Sequence, residues 1–131
     1  HKDILYVDGG ISTQTTGFLR MQGKEVFRHA VEKLAATAVK AMDSAGVSSE
    51  DVDWVVPHQA NIRIIQATAK KLGLSMDRVV VTVQDHGNTS AASIPLALSV
   101  GQARGQIKRG DLVVTEAIGG GLAWGSLVLR W

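Results

Sequence analysis

Cysteine is absent from the 131 residues. That absence excludes a disulfide framework and a thiolate nucleophile supplied by this chain. No apolar run approaches the ~20 residues that span a bilayer. No basic start, apolar stretch and cleavage site mark a secretory leader. Neither sign of charge dominates: the net charge is +2 with histidines neutral, too small to imply a nucleic-acid partner. What remains is a soluble, intracellular chain with room for one core. Its 45% hydrophobic and 20% charged content is that of a folded domain rather than a disordered one.

Several motifs are missing too. The glycines form neither a dinucleotide fingerprint nor a Walker loop. His58, Asp85 and His86 lack the spacing of zinc ligands. Ser90, His58 and Asp85 could be combined as a hydrolase triad, but no Gly-x-Ser-x-Gly elbow presents the serine. Asn88-Thr89-Ser90 matches a glycosylation acceptor only by pattern, since nothing indicates secretion. Trp54, Trp124 and Trp131 read as packing residues. The chain opens at His1-Lys2-Asp3 without methionine, as a processed chain or a piece of a longer one would.

Against these absences stands the stretch Trp54-Val55-Val56-Pro57-His58-Gln59-Ala60-Asn61. An apolar run, covered on both faces if it is a strand, delivers a histidine to its end just before a helical pattern. Residues 1–20 read as a leading segment of strand or turn plus loop, with a short strand at 18–21. Phe27, Ala30, Val31, Leu34, Ala38, Ala41 and Met42 fall at helical spacing, and Gly46 follows as a cap. A second helix is expected over 60–72, a third strand over 78–83 and a turn at 85–88. Thr89 or Ser90 is expected to cap a further helix, whose start near 90–92 is set by Pro95. Strands at 112–117 and 122–130 flank Gly119-Gly120-Gly121. The order β-α-β-α-β-α-β-β predicts an α/β fold with a mostly parallel sheet and one antiparallel strand.

Three predicted strands end in suggestive residues: His58, Asn88 and the run Gly119 to Gly121. In a parallel sheet those ends share one edge, where open α/β sheets bind ligands. Imidazole and carboxamide N–H groups aimed at one oxygen would stabilise an enolate or a tetrahedral oxyanion. Each residue also has a plainer reading: His58 satisfying a buried carbonyl, Asn88 serving a turn, the glycines serving a tight hairpin. Charge is distributed unevenly. Residues 58–80 contain Arg63, Lys70, Lys71 and Arg78 against Asp77 alone, whereas 43–53 contain four acids and no base. That positive stretch is either a solvated helix face or a guide for an acidic partner.

The first of these segments, together with His86-Gly87-Asn88-Thr89-Ser90-Ala91-Ala92-Ser93 and Glu116-Ala117-Ile118-Gly119-Gly120-Gly121-Leu122-Ala123-Trp124-Gly125, closely resembles the β-ketoacyl-acyl carrier protein synthase III family. The resemblance runs over residues 21–131 and is less clear in the first twenty. It implies a thiolase-type, five-layered fold of two related halves, this chain being the carboxy-terminal half-domain over 21–131. It implies a Cys-His-Asn triad in which His58 and Asn88 are the last two members. The cysteine would belong to the amino-terminal half, so this chain alone would be inactive.

By the same resemblance, an acyl-CoA primer is condensed with malonyl-acyl carrier protein, with loss of carbon dioxide, to initiate fatty acid synthesis. The Gly120 N–H would serve an oxyanion hole. Gly23, Phe27 and Asn61 would approach pantetheine or CoA. Arg28, Arg63, Lys70 and Lys71 would dock the acidic carrier protein. The implied setting is cytoplasmic, as a homodimer of the full enzyme, with no metal or redox cofactor, nucleic acid or membrane involved. Two alternatives stand beside it: a thiolase-type synthase with another primer or extender, and a catalytically silent docking half.

Overall fold

Side chains alternate faces along a strand, so the apolar run at 54–57 needs cover on both sides. The computed structural model describes residues 3–131 and supplies that cover. His1 and Lys2, where the leading segment and the methionine-free opening begin, lie outside the described residues. In chain order the elements are β1 (Leu5–Val7), β2 (Leu19–Met21), α1 (Gly23–Ala45), β3 (Trp54–Pro57), α2 (Ile62–Lys71), α3 (Val83–His86), α4 (Ser93–Ala103), β4 (Leu112–Gly119) and β5 (Ala123–Arg130). Single 3-10 turns occupy Ile11–Thr13, Met76–Arg78 and Ser90–Ala92.

The central sheet has the order β3-β4-β5. β3 runs parallel to β4, with Trp54 opposite Val113 and Pro57 opposite Glu116. β5 returns antiparallel along β4, from Gly119 opposite Ala123 to Leu112 opposite Arg130. On one face Val55 and Val114 pack with Ala35, Ala38 and Met42 of α1, with Ile65 and Ala69 of α2 and with Leu72 just past its end. On the other, Val56 and Val113 pack with Val80, Ile107 and Ala97 of α4. Complete burial of one such valine stabilises the fold by roughly 1.5–3 kcal/mol. The result is helix on sheet on helix, as the doubly apolar strand requires.

A third cluster of Ala30, Leu34 and Ile64, with Phe27 and Ile118 against it, joins α1, α2 and the far end of β4. β1 and β2 form a separate antiparallel pair, Leu5 opposite Met21, which leaves Leu19 and Met21 largely exposed. Among the described residues no helix is long and apolar enough to cross a membrane.

The helices follow their apolar periodicity. α1 buries Ala30, Leu34, Ala38 and Met42, and Gly46 closes it at φ 68° with its N–H donating to the Asp43 carbonyl oxygen at 3.1 Å. α2 begins at Asn61, whose side-chain oxygen accepts the Arg63 N–H at 2.8 Å. Pro95 falls in the first turn of α4, where a missing N–H costs nothing.

Two expectations are corrected. The third strand, expected over 78–83, contracts to one parallel bridge between Val79 and Val55. Beyond it a side chain replaces the ladder. Gln59 donates to the Val80 carbonyl oxygen at 3.1 Å and accepts the Thr82 and Val83 N–H groups at 2.8 and 3.0 Å. With those amides satisfied, the chain turns at once into α3, which takes in part of the expected turn at 85–88. Neither Thr89 nor Ser90 caps α4 through its side chain. Instead the Asn88 side-chain oxygen accepts the Ser90 N–H at 3.0 Å.

Candidate active site

Parallel pairing of β3 with β4 sets their carboxy-terminal ends side by side. His58 leaves β3 there, its N–H donating to the Glu116 carbonyl oxygen of β4 at 2.7 Å. The next residues of β4 lead to Gly119, Gly120 and Gly121. An open concavity of about 980 Å³ lies over this edge, lined by His58, Asn88, Ser90, the residues from Ala117 to Gly121, and Trp124. β1 contributes Leu5, Tyr6 and Val7 to its lining. The imidazole, the carboxamide and the glycine run read from strand ends in the sequence therefore share one site.

Each group is held by identifiable contacts. His58 is half-buried, and burial lowers its pKa below the ordinary 6.5, so the ring is neutral at pH 7. Its Nδ1 lies 2.6 Å from the Ser93 hydroxyl. That hydroxyl accepts the Gln59 N–H at 3.2 Å and donates to the Ser90 carbonyl oxygen at 2.9 Å. Gly87, at φ 65°, turns the chain into Asn88. Because the Asn88 oxygen is committed to the Ser90 N–H, its NH₂ end is the one available to a ligand. The reversed amide would set donor against donor. Ser90, between these contacts, adopts φ 52°, a region non-glycine residues seldom occupy.

Gly119 and Gly120 are unobstructed. A Cβ on Gly119 would meet nothing within 4 Å, and one on Gly120 only the Leu5 carbonyl oxygen at 3.5 Å and the Leu5 side chain at 3.9 Å. Trp124 borders the concavity, and the Lys33 ammonium of α1 stands 4.7 Å from its ring centroid. Trp54 and Trp131 pack against the Val56 cluster instead.

The remaining sequence-derived residues lie elsewhere. None of Gly23, Phe27, Arg28, Asn61, Arg63, Lys70 and Lys71 lines the concavity. Gly23 opens α1, and Phe27 one turn later packs on the Ala30 cluster. The Arg63 guanidinium stands 5.8 Å from the Phe27 ring centroid, so one contact joins a residue assigned to CoA with one assigned to docking. Arg28 is paired with Glu25 at 2.7 Å, which holds the Glu25 carboxyl below its usual range. Lys70 and Lys71 occupy the last turn of α2, where cations favour the helix dipole. Asp85, considered for zinc or a triad, pairs with Arg104 at 3.3 Å. Among the described residues no three His, Asp or Glu side chains gather as a metal site.

Three residues of the site carry roles that the sequence does not announce. Gln59 and Ser93 are buried and make the contacts above. Glu116 is 2% exposed, and among the described residues its Oε2 has no hydrogen-bond partner. Burial pushes its carboxyl up to about 7. All three fall within the segments that carry the family resemblance, but only their position there could have flagged them.

Similarity to known proteins covers the whole chain. The family described as 3-oxoacyl-[acyl-carrier-protein (ACP)] synthase III C terminal matches residues 42–131. The beta-ketoacyl-[acyl-carrier-protein] synthase III of Roseobacter denitrificans is 86% identical over 131 residues, all of this chain and 41% of that protein. The first twenty residues are included in that match. The crystal structure of 3-oxoacyl-[acyl-carrier-protein] synthase III from Aquifex aeolicus VF5 superposes with a TM-score of 0.92 at 44% identity, covering 99% of this chain and 40% of that one. The Pseudomonas aeruginosa PAO1 counterpart gives 0.92 at 40% identity, with the same coverage. This chain thus spans about two-fifths of the length of the curated relatives it matches.

Proposed function

Because the chain belongs to the 3-oxoacyl-[acyl-carrier-protein] synthase III C-terminal family, we propose that it supplies the enolate-stabilising part of a decarboxylating condensing enzyme. The observation that carries this reading is the presence of His58 and Asn88 on one concavity, with the Asn88 oxygen committed to the Ser90 N–H and its NH₂ end left for a ligand. The substrates are an acyl-CoA primer and malonyl-acyl carrier protein, and the product begins a fatty acid.

The nucleophile is a cysteine in the remaining three-fifths of the length seen in the relatives, since this chain has none. Its sulfur attacks the acyl thioester, the bond to CoA sulfur breaks, and an acyl-cysteine forms. The malonyl thioester oxygen then sits against Asn88 Nδ2 and a hydrogen on His58 Nε2. When the carboxylate leaves as carbon dioxide, its electron pair passes into the thioester enolate, whose oxygen both donors hold. The α-carbon attacks the acyl-cysteine and expels the thiolate. The Gly120 N–H, beside an open glycine edge, stabilises the tetrahedral oxyanion. Each such donor contributes ~2.7–4 kcal/mol of barrier lowering.

Gly23, Phe27 and Asn61 line the approach of the pantetheine arm in this reading, and Arg28, Arg63, Lys70 and Lys71 meet the acidic carrier protein. The working unit is a cytoplasmic homodimer of the longer protein.

The test uses a protein of the relatives' full length carrying this chain. His58→Ala and Asn88→Ala are each expected to slow malonyl decarboxylation at least a hundredfold, about one lost donor, while acyl transfer from acyl-CoA to the cysteine continues in both, in His58→Ala through thiolate formed by loss of the thiol proton to solvent. Normal decarboxylation in both variants excludes the assignment.

A further inference from the structure

The Ser93 hydroxyl meets three polar groups but has one hydrogen. The Gln59 N–H, at 3.2 Å, can only donate to it. The Ser90 carbonyl oxygen, at 2.9 Å, can only accept from it. All three contacts are hydrogen bonds at once in a single arrangement: the hydroxyl hydrogen lies on the Ser90 carbonyl, and the ring donates from Nδ1 across 2.6 Å. The reverse arrangement sets the Ser93 and Ser90 oxygens 2.9 Å apart with no hydrogen between them. Ser93 is 1% exposed, so no bulk solvent reaches it to repair that clash.

We infer that Ser93 is a positioning residue that fixes the tautomer of His58, keeping the hydrogen of the resting ring on Nδ1 and turning a bare Nε2 lone pair into the concavity. The same chain of contacts reaches the second donor. The Ser90 N–H binds the Asn88 oxygen while its carbonyl accepts from Ser93. Ser90, pinned on both sides in its left-handed conformation, thus sets Asn88 as a donor and, through Ser93, His58 as an acceptor.

The consequence for chemistry is an order of events, and it rests on the function proposed above. His58 first takes a proton and only then donates one. An acid in the concavity, the cysteine thiol in that reading, loses its hydrogen. The S–H bond breaks with the electron pair left on sulfur, and an Nε2–H bond forms. The Nδ1–H remains on Ser93 throughout, so the resulting imidazolium is held in the same orientation, now with a donor facing the thioester oxygen.

The experiment is long-range ¹H–¹⁵N correlation of the histidine rings in the full-length protein, above the titration of His58, with and without Ser93→Ala. The expected spectrum places the His58 hydrogen on Nδ1 in the unsubstituted protein and loses that preference in the variant. Decarboxylation by Ser93→Ala is expected to fall at least tenfold, with its pH profile displaced to lower pH because the imidazolium has lost its acceptor. A hydrogen on Nε2 in the unsubstituted protein, or an unchanged ring spectrum in the variant, overturns the inference. The ring spectrum is read without turnover, so it fails or stands separately from the His58→Ala and Asn88→Ala decarboxylation assay.

Discussion

The Gln59 carboxamide oxygen accepts the Thr82 N–H at 2.8 Å, so the residue that follows His58 governs where the path toward Asn88 leaves the sheet. The Gln59 side-chain nitrogen donates to the Pro57 and Val80 carbonyl oxygens at 2.9 and 3.1 Å. One fully buried side chain therefore ties the end of β3 to the segment that replaces a third strand, and the placement of both His58 and Asn88 depends on it.

Gln59→Leu keeps the approximate volume and removes every one of these bonds. Buried donors and acceptors left without partners cost about 1–3 kcal/mol each, so a loss of at least ~3 kcal/mol is expected in urea unfolding of the full-length protein. Gln59→Glu is expected to be worse. It sets oxygen against the Pro57 and Val80 carbonyls or buries a charge. If Gln59→Leu unfolds at the unsubstituted midpoint, the amide is not what holds this segment.

The legibility of the chain divides along the range of each interaction. β3, the α1 stripe and the β4–β5 return were readable because periodicity and glycine turns are local signals. His58 and the glycines could be grouped because a parallel sheet aligns strand ends, whereas Asn88 reaches the same site although its expected strand contracts to a single bridge. Gln59 and Ser93 could not, since their partners lie 23 and 35 residues away and any polar residue in those motifs looks alike. The run at 78–83 misled for the same reason. Valine and threonine suit an extended chain whether its N–H groups meet a neighbouring strand or one carboxamide, and nothing in the run itself tells which.

Glu116 gives stability a pH dependence of fixed sign. Burial raises its folded pKa from an ordinary 4.5 to about 7, so the folded state holds the proton more tightly than the unfolded chain. Its contribution is complete below about 4.5 and is lost as pH rises through about 7. Expressed as free energy, that shift is on the order of 3 kcal/mol. Glu116→Gln is expected to flatten the decline across this window and to raise the thermal midpoint at pH 8. A variant whose stability falls with pH as steeply as the parent would assign the decline to another group.

The basic face of α2 can be separated from the chemistry by its response to charge and salt. Arg63, Lys70 and Lys71 are exposed on one helix, whereas Arg28 already spends part of its field on Glu25 at 2.7 Å. Arg63 is also steadied by the Phe27 ring 5.8 Å away, which keeps its charge in a defined place. On the function proposed above, Arg63→Glu and Lys70→Glu in the full-length protein are therefore expected to raise KM for the carrier-protein substrate about tenfold at low ionic strength, within the range of electrostatic steering. Turnover of a short synthetic thioester should change little, and Arg28→Ala should have the smaller effect on docking. At 0.1 M salt the Debye length shrinks to about 10 Å, so the difference between parent and variants should narrow as salt is added. Equal losses for both substrates, or losses indifferent to salt, would place these cations in the fold or at the thioester rather than at a docking surface.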